Sequence, residues 1–522
     1  MKKIFVFTIL FLLQQLLFSQ VITYKIGGEV NHLDKSSSLN PTSNTIIDII
    51  AIGDTIWLGT SRGVSVSFDK GESWTNFYGR SDFGTDNVSA IGYDNYTRTF
   101  WCATAKSQEV TGGQKLPSGT GLKYTTNFGQ TWNSIPQPVD GQNDNQIQYG
   151  INNLSALPVT VTVQNLCYDI AFTPNTIWIA TFAGGLRRST DNGQTWQRVV
   201  LPPDNKNSIA PTDTLDFCLA PVGGSFCSVG NLNHRVFSVI AVNDSTVLVG
   251  TANGINKTTN ANDTYPSWVK FNHQNQDNPI SGNFITALAY NNTSNTIWAS
   301  TWKAEDPDEF YGVSFSSDGG LNWQTTLYDE RPHNFAFKFA QPIVLTDNGA
   351  FRSTDFGQTW ILPNSIVDNQ TGAQLRSNVF YSAAVTGNYI FLGSDDGLAR
   401  LKENIGSVWE GEWKVYLSSQ PLNSDKEVYC YPNPFSPRQE LLKFRYSTNG
   451  QQEKVTIRIY DFAFNYVATV IQNASRITDN EGAPDFWDGR DANGNYVPNG
   501  VYFYRIEIGD KDPLFGKILV LQ

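Results

Sequence analysis

Short apolar segments separated by tight turns recur along the first four hundred residues. An apolar segment such as TIIDIIAI or NLCYDIAF is followed by a second one, IWLGT at 56–60 or IWIAT at 177–181, that ends in small residues. A glycine-led third segment, a turn and a short outer segment complete the unit. Short alternating segments bounded by turn residues are typical of β-strands, so each unit is predicted to hold four strands.

The turn in most units follows one spacing, in which Asp or Asn precedes Gly by two positions and Trp by five. The six turns with this spacing are Asp69-Gly71-Trp74, Asn127-Gly129-Trp132, Asp191-Gly193-Trp196, Asp318-Gly320-Trp323, Asp355-Gly357-Trp360 and Asn404-Gly406-Trp409. A seventh unit, between Val247 and Trp268, keeps the strands but has an insertion, TTNANDTYPSW, at the turn. Four further tryptophans share a second repeat position: Trp57, Trp101, Trp178 and Trp298. The repeat predicts an all-β fold, a seven-bladed β-propeller.

Each residue type in the turn has a structural reason to be there. The Asp or Asn side chain can accept hydrogen bonds from the backbone N–H groups ahead of it, and the glycine permits a positive φ. The tryptophan can then bury a large apolar face between neighbouring blades. We therefore interpret these turns as architecture, and expect a Trp196→Ala or Trp360→Ala substitution to cost roughly 3–5 kcal/mol if the residue is core.

The turns written SFDKGESW, STDNGQTW, SSDGGLNW and STDFGQTW resemble the Asp-box, or BNR, repeat of bacterial sialidases, xyloglucanases and sortilin-like proteins. The resemblance covers roughly residues 21–420, and the propeller domain is predicted over 20–420. It implies that the box lies at the periphery of each blade, away from any catalytic centre.

The N-terminus has the pattern of a secretory signal peptide over residues 1–19. Lys2 and Lys3 are followed by an apolar run over 4–18 and by the small residue Ser19. A membrane anchor fits less well, because the run is short and contains Gln14 and Gln15. No later apolar stretch has the length to span a bilayer, so the mature chain is predicted to be secreted or held at the cell surface.

After a linker at 421–426, residues 427–522 show a different pattern. Alternating segments and hairpin signals at Asn493-Gly494 and Asn499-Gly500 predict a compact antiparallel β-sandwich. The segments YPNPF, IYDF, WDGRDANGNYVPNGVYFYRI and KILVLQ resemble the FlgD-like immunoglobulin fold and the C-terminal sorting domains of the type IX secretion system. The resemblance implies an immunoglobulin-like module and export across the outer membrane by its export machinery.

Composition excludes some classes of partner. The formal net charge is −11, with 16% charged and 13% aromatic residues. An acidic surface repels nucleic acid and anionic membranes, so neither is expected as a partner.

The cysteine and histidine spacing does not match a zinc site, and no cofactor or metal is expected. Cys218 and Cys227 could close a short disulfide loop in an oxidising compartment, and buried free thiols are an equal alternative. A calcium site at Asp488, Asp491, Asn493 and Asn495 fits less well than a tight hairpin, because the glycine spacing differs from that of a calcium-binding loop.

Long insertions are predicted to gather on one face of the propeller. They run over 106–119, 135–164, 202–234, 303–311 and 363–376, and belong to second-to-third-strand loops or to connections between blades. Long loops on a rigid scaffold commonly carry binding sites. In the loop TWKAEDPDEFYG, Trp302 and Tyr311 are candidate ligand-binding residues.

The carboxylates of the same loop are candidate acid and base groups of a glycoside hydrolase: Glu305, Asp306, Asp308 and Glu309. The alternative, which we favour, is a solvated acidic loop on an acidic protein.

The sequence favours a binding or interaction module for a polysaccharide or an envelope surface protein over an enzyme. A sialidase-like site needs an arginine cluster, whereas here the basic residues recur before each turn as a periodic feature: Lys123, Arg187, Arg188, Lys257, Arg352 and Arg400. A xyloglucanase-like site would need two propellers. A glycoside hydrolase and a structural accessory of the envelope remain the alternatives.

Overall fold

The computed structural model describes residues 38, 40–370, 373–375, 377–418, 428–438, 441–477 and 485–521. The signal peptide and the linker predicted from the sequence lie outside the described residues. Within them the chain is all-β, and the one helical segment is a 3₁₀ turn at Leu232–His234.

Seven antiparallel sheets follow one another over residues 46–416, each built from strands that are consecutive in the chain, apart from one added edge strand in sheet 4. Sheet 1 contains β1 (Ile46–Ile52), β2 (Thr55–Thr60), β3 (Gly63–Ser67) and β4 (Thr75–Asn76). Sheet 2 contains β5 (Asn87–Asp94), β6 (Thr99–Glu109), β7 (Lys115–Thr125) and β8 (Asn133–Ile135). Sheet 3 contains β11 (Cys167–Thr173), β12 (Thr176–Thr181), β13 (Gly185–Ser189) and β14 (Gln197–Arg198).

Sheet 4 has a fifth strand at its outer edge. It contains β15 (Ser208–Ile209), β17 (Val236–Ala241), β18 (Val247–Thr251), β19 (Gly254–Thr258) and β20 (Trp268–Phe271). Sheet 5 contains β21 (Phe284–Asn291), β22 (Thr296–Trp302), β23 (Gly312–Ser316) and β24 (Gln324–Thr326). Sheet 6 contains β25 (Pro332–Lys338), β26 (Gln341–Thr346) and β27 (Gly349–Arg352), extended by a bridge from Arg352 to Ile361. Sheet 7 contains β28 (Phe380–Thr386), β29 (Tyr389–Ser394), β30 (Leu398–Glu403) and β31 (Gly411–Tyr416).

The first strands of the seven sheets form a closed ring. Each of β1, β5, β11, β17, β21 and β25 packs against the first strand of the following sheet, and β28 packs back against β1. This arrangement of small sheets around an axis is that of a β-propeller.

The two repeat positions occupied by tryptophan meet between neighbouring sheets. Trp57 of sheet 1 lies 6.3 Å from Trp132 of sheet 2, and Trp298 of sheet 5 lies 6.5 Å from Trp360 of sheet 6, with perpendicular rings in both pairs. The corresponding residues share one hydrophobic cluster at each other junction: Trp101 with Trp196, Trp178 with Trp268, Leu248 with Trp323, Ile343 with Trp409 and Phe391 with Trp74. The last pair joins sheet 7 to sheet 1.

Trp196 and Trp360 differ from the other turn tryptophans in being half-buried. Their indole nitrogens donate to Gly193 O at 3.1 Å and to Thr326 Oγ1 at 2.8 Å. Because part of each ring stays in water, the 3–5 kcal/mol expected for a core tryptophan is too large for these two positions.

The Asp-box turns are held by a repeated set of hydrogen bonds. In sheet 3, Gly193 N donates to Ser189 Oγ at 2.8 Å, and Thr195 N donates to Asp191 Oδ1 at 2.9 Å. Gly193 has φ +82°, the left-handed conformation that glycine adopts without strain. Hydrogen bonds from Thr195 and Ser189 lower the pKa of Asp191 to about 2.

The turn with the insertion keeps the same design with a longer loop. Thr258 Oγ1 donates to Asn260 Oδ1 at 2.8 Å, and Ser267 N donates to that oxygen at 3.0 Å. Asn260 therefore takes the role that Asp191 has in sheet 3, and Trp268 is still fully buried.

Two of the long connections build a small sheet of their own. It contains β9 (Gln146–Tyr149), β10 (Asn152–Ala156) and β16 (Cys218–Leu219). Cys218 and Cys227 form a disulfide with a Cα–Cα distance of 5.8 Å, while Cys102, Cys167 and Cys430 are buried free thiols.

The C-terminal residues form two antiparallel sheets around one core. The first contains β32 (Tyr429–Tyr431), β33 (Leu442–Arg445) and β36 (Asp485–Trp487). The second contains β34 (Gln452–Tyr460), β35 (Tyr466–Ile477), β37 (Gly500–Ile508) and β38 (Leu514–Val520). Asp491 Oδ1 accepts hydrogen bonds from Asn493 N and Asn495 N, both at 2.9 Å, so its carboxylate serves a tight turn.

Candidate functional site

Every first strand of the ring contains a β-bulge at the same position. In β1 the pairing with β2 passes from Ile46 to Asp48 and leaves Ile47 without a partner. The equivalent bulged residues are Ser89, Tyr168, Phe237, Thr286, His333 and Tyr381. A bulge turns a side chain away from the regular alternation of a strand. All seven bulged residues line one cavity, with a volume of about 650 Å³.

The cavity opens on the face that carries the long loops. Residues from those loops complete its wall: Pro117, Gln164, Val222, Lys303, Ala304 and Glu305. Each first strand begins at the loop face, because the connection from the preceding sheet enters there. The order of residues along these strands therefore gives the order of side chains from the mouth inwards.

Four layers follow from that order. Arg235 and Arg331, which immediately precede β17 and β25, form a charged rim together with Lys303 and Glu305. The bulged residues form a mainly aromatic second layer. The next position is polar at Asp48, Asp169, Ser238 and Asn334, and the one after it is apolar at Ile49, Leu288, Phe335 and Ala383.

The aromatic residues of the second layer, together with Phe284 and Trp302 of sheet 5, form a continuous arc over sheets 3 to 7. The centroid of Phe237 lies 5.4 Å from that of Tyr168 and 4.6 Å from that of Phe284. The arc continues through Trp302, which is 6.1 Å from Phe284 and 5.9 Å from His333, and ends at Tyr381, 5.4 Å from His333. Arrays of aromatic rings offer apolar faces for stacking and negative faces for cations.

Two carboxylates of the third layer are surrounded by protein and touch solvent through the cavity. Asp169 accepts hydrogen bonds from Ile170 N at 2.8 Å, Ser238 Oγ at 2.8 Å and Val239 N at 2.9 Å. Asp48 accepts one from Ile49 N at 2.9 Å and a longer one from Asn334 Nδ2 at 3.4 Å. Burial and the charge of Asp169 raise the pKa of Asp48 to about 7, and burial raises the pKa of Asp169 to about 6.

The charges of the rim are balanced by acidic neighbours. Arg235 donates to Pro221 O at 2.9 Å and lies 5.5 Å above the Phe182 ring. Burial lowers its pKa, and the charges of Asp204 and Glu305 oppose that change. Arg331 lies 4.9 Å above the Tyr311 ring. The rim therefore has mixed charge and does not form an arginine cluster.

The candidate residues of loop 303–311 separate into two groups. Trp302, Tyr311 and Glu305 line the cavity, whereas Asp306, Asp308 and Glu309 lie outside its wall. Trp302 is 3% exposed, and its indole nitrogen donates to Pro332 O at 3.0 Å, so the ring is fixed in the wall.

Glu309 stabilises the conformation of loop 303–311 through hydrogen bonds. Its buried carboxylate accepts hydrogen bonds from Ala304 N at 2.6 Å, Asn283 Nδ2 at 2.6 Å and Asn283 N at 3.1 Å. A carboxylate with this many internal partners holds the shape of the loop that carries Trp302 and Tyr311.

The periodic basic residues lie away from the cavity, and several link neighbouring parts of the ring. Arg188 donates to Asp263 O at 2.8 Å, Lys257 to Gly319 O at 2.8 Å, and Arg400 to Lys70 O at 2.7 Å. Arg400 also pairs with Glu72, which joins sheet 7 to sheet 1. These contacts are structural.

The sequence analysis missed the polar third layer of the cavity, which lies in the central channel of the ring. Asp48 and Asp169 sit at equivalent places in the apolar segments TIIDIIAI and NLCYDIAF, and in both an acidic residue interrupts a run of apolar ones. An isolated Asp within a buried strand was the available signal, since buried carboxylates need a partner or a function.

The far face of the ring carries a contact between sheets that are not neighbours. Tyr96 Oη, in the first turn of sheet 2, donates to Asp244 Oδ1 of sheet 4 at 2.6 Å. This hydrogen bond raises the pKa of Tyr96 to about 12.

Comparison with known proteins gives one match by sequence. Residues 187–198, which contain the turn Asp191-Gly193-Trp196, match the family described as the BNR/Asp-box repeat. No curated protein matches the chain.

Several solved structures are similar in fold, at low identity. PorZ, an essential bacterial surface component of the type IX secretion system of Porphyromonas gingivalis, is 14% identical over 92% of this chain and 66% of that chain, with a TM-score of 0.30. YCF48 from Cyanidioschyzon merolae is 15% identical over 68% of this chain and 94% of that chain, with a TM-score of 0.41. The extracellular domain of the putative one-component system BT4673 from B. thetaiotaomicron is 12% identical over 92% of this chain and 86% of that chain, with a TM-score of 0.33.

Among the described residues, no helix has the length and apolar character to cross a membrane. The closed ring of small antiparallel sheets is that of a β-propeller, and residues 187–198 within it match the BNR/Asp-box repeat.

Proposed function

We propose that the protein is a secreted or cell-surface seven-bladed β-propeller that binds a ligand in the loop-side mouth of its central channel. The observation that carries this proposal is the set of seven equivalent bulges, whose side chains all line one cavity of about 650 Å³. A cavity of this size, lined by aromatic and aliphatic side chains together with polar and charged groups, is typical of a ligand site.

The aromatic arc favours a polysaccharide, or a side chain of a surface protein, as the ligand. Sugars stack their apolar C–H faces on rings such as Tyr311 and Tyr381, and the charged rim can hydrogen-bond their hydroxyl groups.

We also propose that the C-terminal β-sandwich is an immunoglobulin-like sorting module that acts in export. The sequence motifs YPNPF and KILVLQ support this role.

A binding experiment with matched variants tests the channel. The purified mature protein is applied to a glycan array and to envelope-protein extracts, and its hits are compared with those of Tyr311→Ala and Tyr381→Ala. We expect at least tenfold weaker binding by both variants. Phe356→Ala serves as control, because Phe356 is an exposed aromatic residue at an Asp-box turn, outside the cavity wall. Equal loss in the control would contradict a channel site.

Removing residues 428–522 tests the export proposal. The truncated chain should accumulate inside the outer membrane while the full chain reaches the surface or the medium, as followed by cell fractionation. Surface display of the truncated chain would sink this part of the proposal.

A glycoside hydrolase is the second candidate function, with Asp48 and Asp169 as the acid and base in place of the carboxylates of loop 303–311. Asp48 and Asp169 are two carboxylates in one cavity with raised pKa values, an arrangement that can supply an acid and a base. A reducing-sugar assay on the polysaccharides that bind separates the two functions. Release of sugar that disappears in both Asp48→Asn and Asp169→Asn would establish hydrolysis and displace the binding proposal.

A further inference from the structure

The third layer of the cavity presents two acidic groups, and a hydroxyl without a partner lies in the bulged second layer next to it. Asp48 belongs to sheet 1 and Asp169 to sheet 3, and both line the cavity. Ser89, from the sheet between them, also lines it. Ser89 is 5% exposed, and its Oγ has no hydrogen-bond partner within the described residues. A buried hydroxyl without a partner is destabilising unless a ligand or water forms a hydrogen bond with it.

We propose that this layer is a binding site for a primary alkylammonium group, of the kind carried by a lysine side chain or a polyamine. The inference rests on the proposed function, since it names the chemistry that the channel recognises. An ammonium group has three N–H donors and a positive charge. The two carboxylates supply the opposite charge, and Ser89 Oγ, in the second layer, supplies a further acceptor.

The surrounding layers suit an organic cation rather than a bare metal ion. Above the carboxylates lie the rings of Tyr168, Phe237 and Tyr381, whose faces attract cations. Below them lies the apolar layer with Ile49 and Leu288, which gives an alkyl chain or a methylene group a surface to contact. No group of three or more His, Cys, Asp or Glu side chains in the described part of the chain is arranged to hold a metal ion.

The electrostatics of the layer point to the same ligand. Asp48 and Asp169 repel each other and are poorly hydrated, and both effects raise the pKa of Asp48. A cation between them relieves the repulsion and replaces the lost hydration, so it binds to the ionised pair. Several other titratable or charged groups face the cavity: Tyr168, Arg235, Lys303, Glu305, Tyr311, Arg331, His333 and Tyr381.

The test is calorimetric titration of the full mature chain with n-pentylammonium chloride at pH 8. 1-Pentanol, which has the same alkyl chain without a charge, is the control ligand. We expect binding of the amine with at least tenfold weaker binding of the alcohol. Lowering the pH to 5 should weaken amine binding at least tenfold, because the carboxylates take up protons while the amine stays charged.

Three variants locate the site. Asp48→Asn should bind the amine at least tenfold more weakly, and Ser89→Ala about threefold more weakly. Asp308→Asn is the matched control, because Asp308 is exposed and lies outside the cavity wall, and it should bind like the parent. Burial already favours a neutral group at position 48, so Asp48→Asn should fold, which near-ultraviolet circular dichroism checks.

Each outcome is decisive. Three results would overturn the ammonium site. They are equal binding of amine and alcohol, equal amine binding by Asp48→Asn and the parent, and no amine binding at the highest concentration that can be titrated. If the amine fails while a glycan or surface protein still binds in a Tyr311-dependent way, the proposed function stands and only this inference falls. If both fail, the channel is not a binding site.

Discussion

The aspartates of the Asp-box turns and those of the cavity accept similar hydrogen bonds, but their pKa values shift in opposite directions. Asp191 accepts hydrogen bonds from Thr195 N, Ser189 Oγ and Thr195 Oγ1, and its pKa falls to about 2. Asp169 also accepts three, from Ile170 N, Ser238 Oγ and Val239 N, yet its pKa rises to about 6. The difference is hydration, because Asp191 is at the surface and Asp169 is enclosed by the ring of first strands. Hydrogen bonds stabilise a carboxylate, but they do not replace bulk water.

The largest expected effect concerns the tryptophans that the surface turns hold in place. Trp268 is fully buried between sheets 3 and 4, whereas Trp360 is half-buried. Trp268→Ala should lower the free energy of unfolding by roughly 3–5 kcal/mol, and Trp360→Ala by about half as much. Urea unfolding followed by fluorescence measures both. Equal losses would mean that the turns contribute to stability independently of tryptophan burial.

The next effect concerns the channel and depends on pH. The folded-state pKa of Asp48, about 7, lies above its ordinary value of 3.8, so the folded protein binds the proton more tightly than the unfolded chain. The stability linked to this proton is fully present below about pH 4 and is lost as the pH rises through 7. Asp48→Asn has no carboxylate to ionise, so its free energy of unfolding does not fall in this way. The variant should be about 1–3 kcal/mol more stable than the parent at pH 8 and equal to it at pH 4.

Chemical unfolding at the two pH values measures this difference. A stability difference that does not change between pH 4 and pH 8 would contradict the buried, poorly hydrated state of Asp48.

The smallest effect concerns the aspartates of the surface turns. Their contribution to the free energy of unfolding changes with pH in the opposite direction to that of Asp48. The pKa of Asp191 lies below its ordinary value, so its contribution is present above about pH 4 and is lost as the pH falls through about 2. Asp191→Asn should therefore destabilise the protein at neutral pH, by less than about 1 kcal/mol because the group is exposed. The same unfolding measurement at pH 7 and pH 2.5 should show the difference from the parent shrinking in acid. A difference that grows in acid would show that the carboxylate is not the stabilising form.

The repeat could be predicted from the sequence because its marker residues are chemically distinctive. Trp132 or Gly193 can be replaced by few other residues in a tight turn between sheets, so the spacing stays visible despite loops of different length. Residues 187–198 are the part that also matches a known repeat.

The layers of the cavity could not be predicted because their common feature is backbone geometry. The bulged position is occupied by Ile47, Ser89, Tyr168, Thr286 and His333 among others, so no residue pattern marks it. The sequence pointed to the loop face through insertion lengths and to Trp302 and Tyr311 through composition, and both residues line the cavity. The carboxylates it singled out, in loop 303–311, were conspicuous because they are clustered and exposed. Asp48 and Asp169 are separated by more than a hundred residues and line one cavity only in the folded structure.

The apolar layer and the contact between Tyr96 and Asp244 give the channel a direction. The cavity reaches inwards as far as Ile240, and the phenol–carboxylate hydrogen bond joins two sheets at the opposite end. A ligand that enters from the loop face therefore meets the charged rim first, then the aromatic layer and the carboxylates, and the apolar layer last.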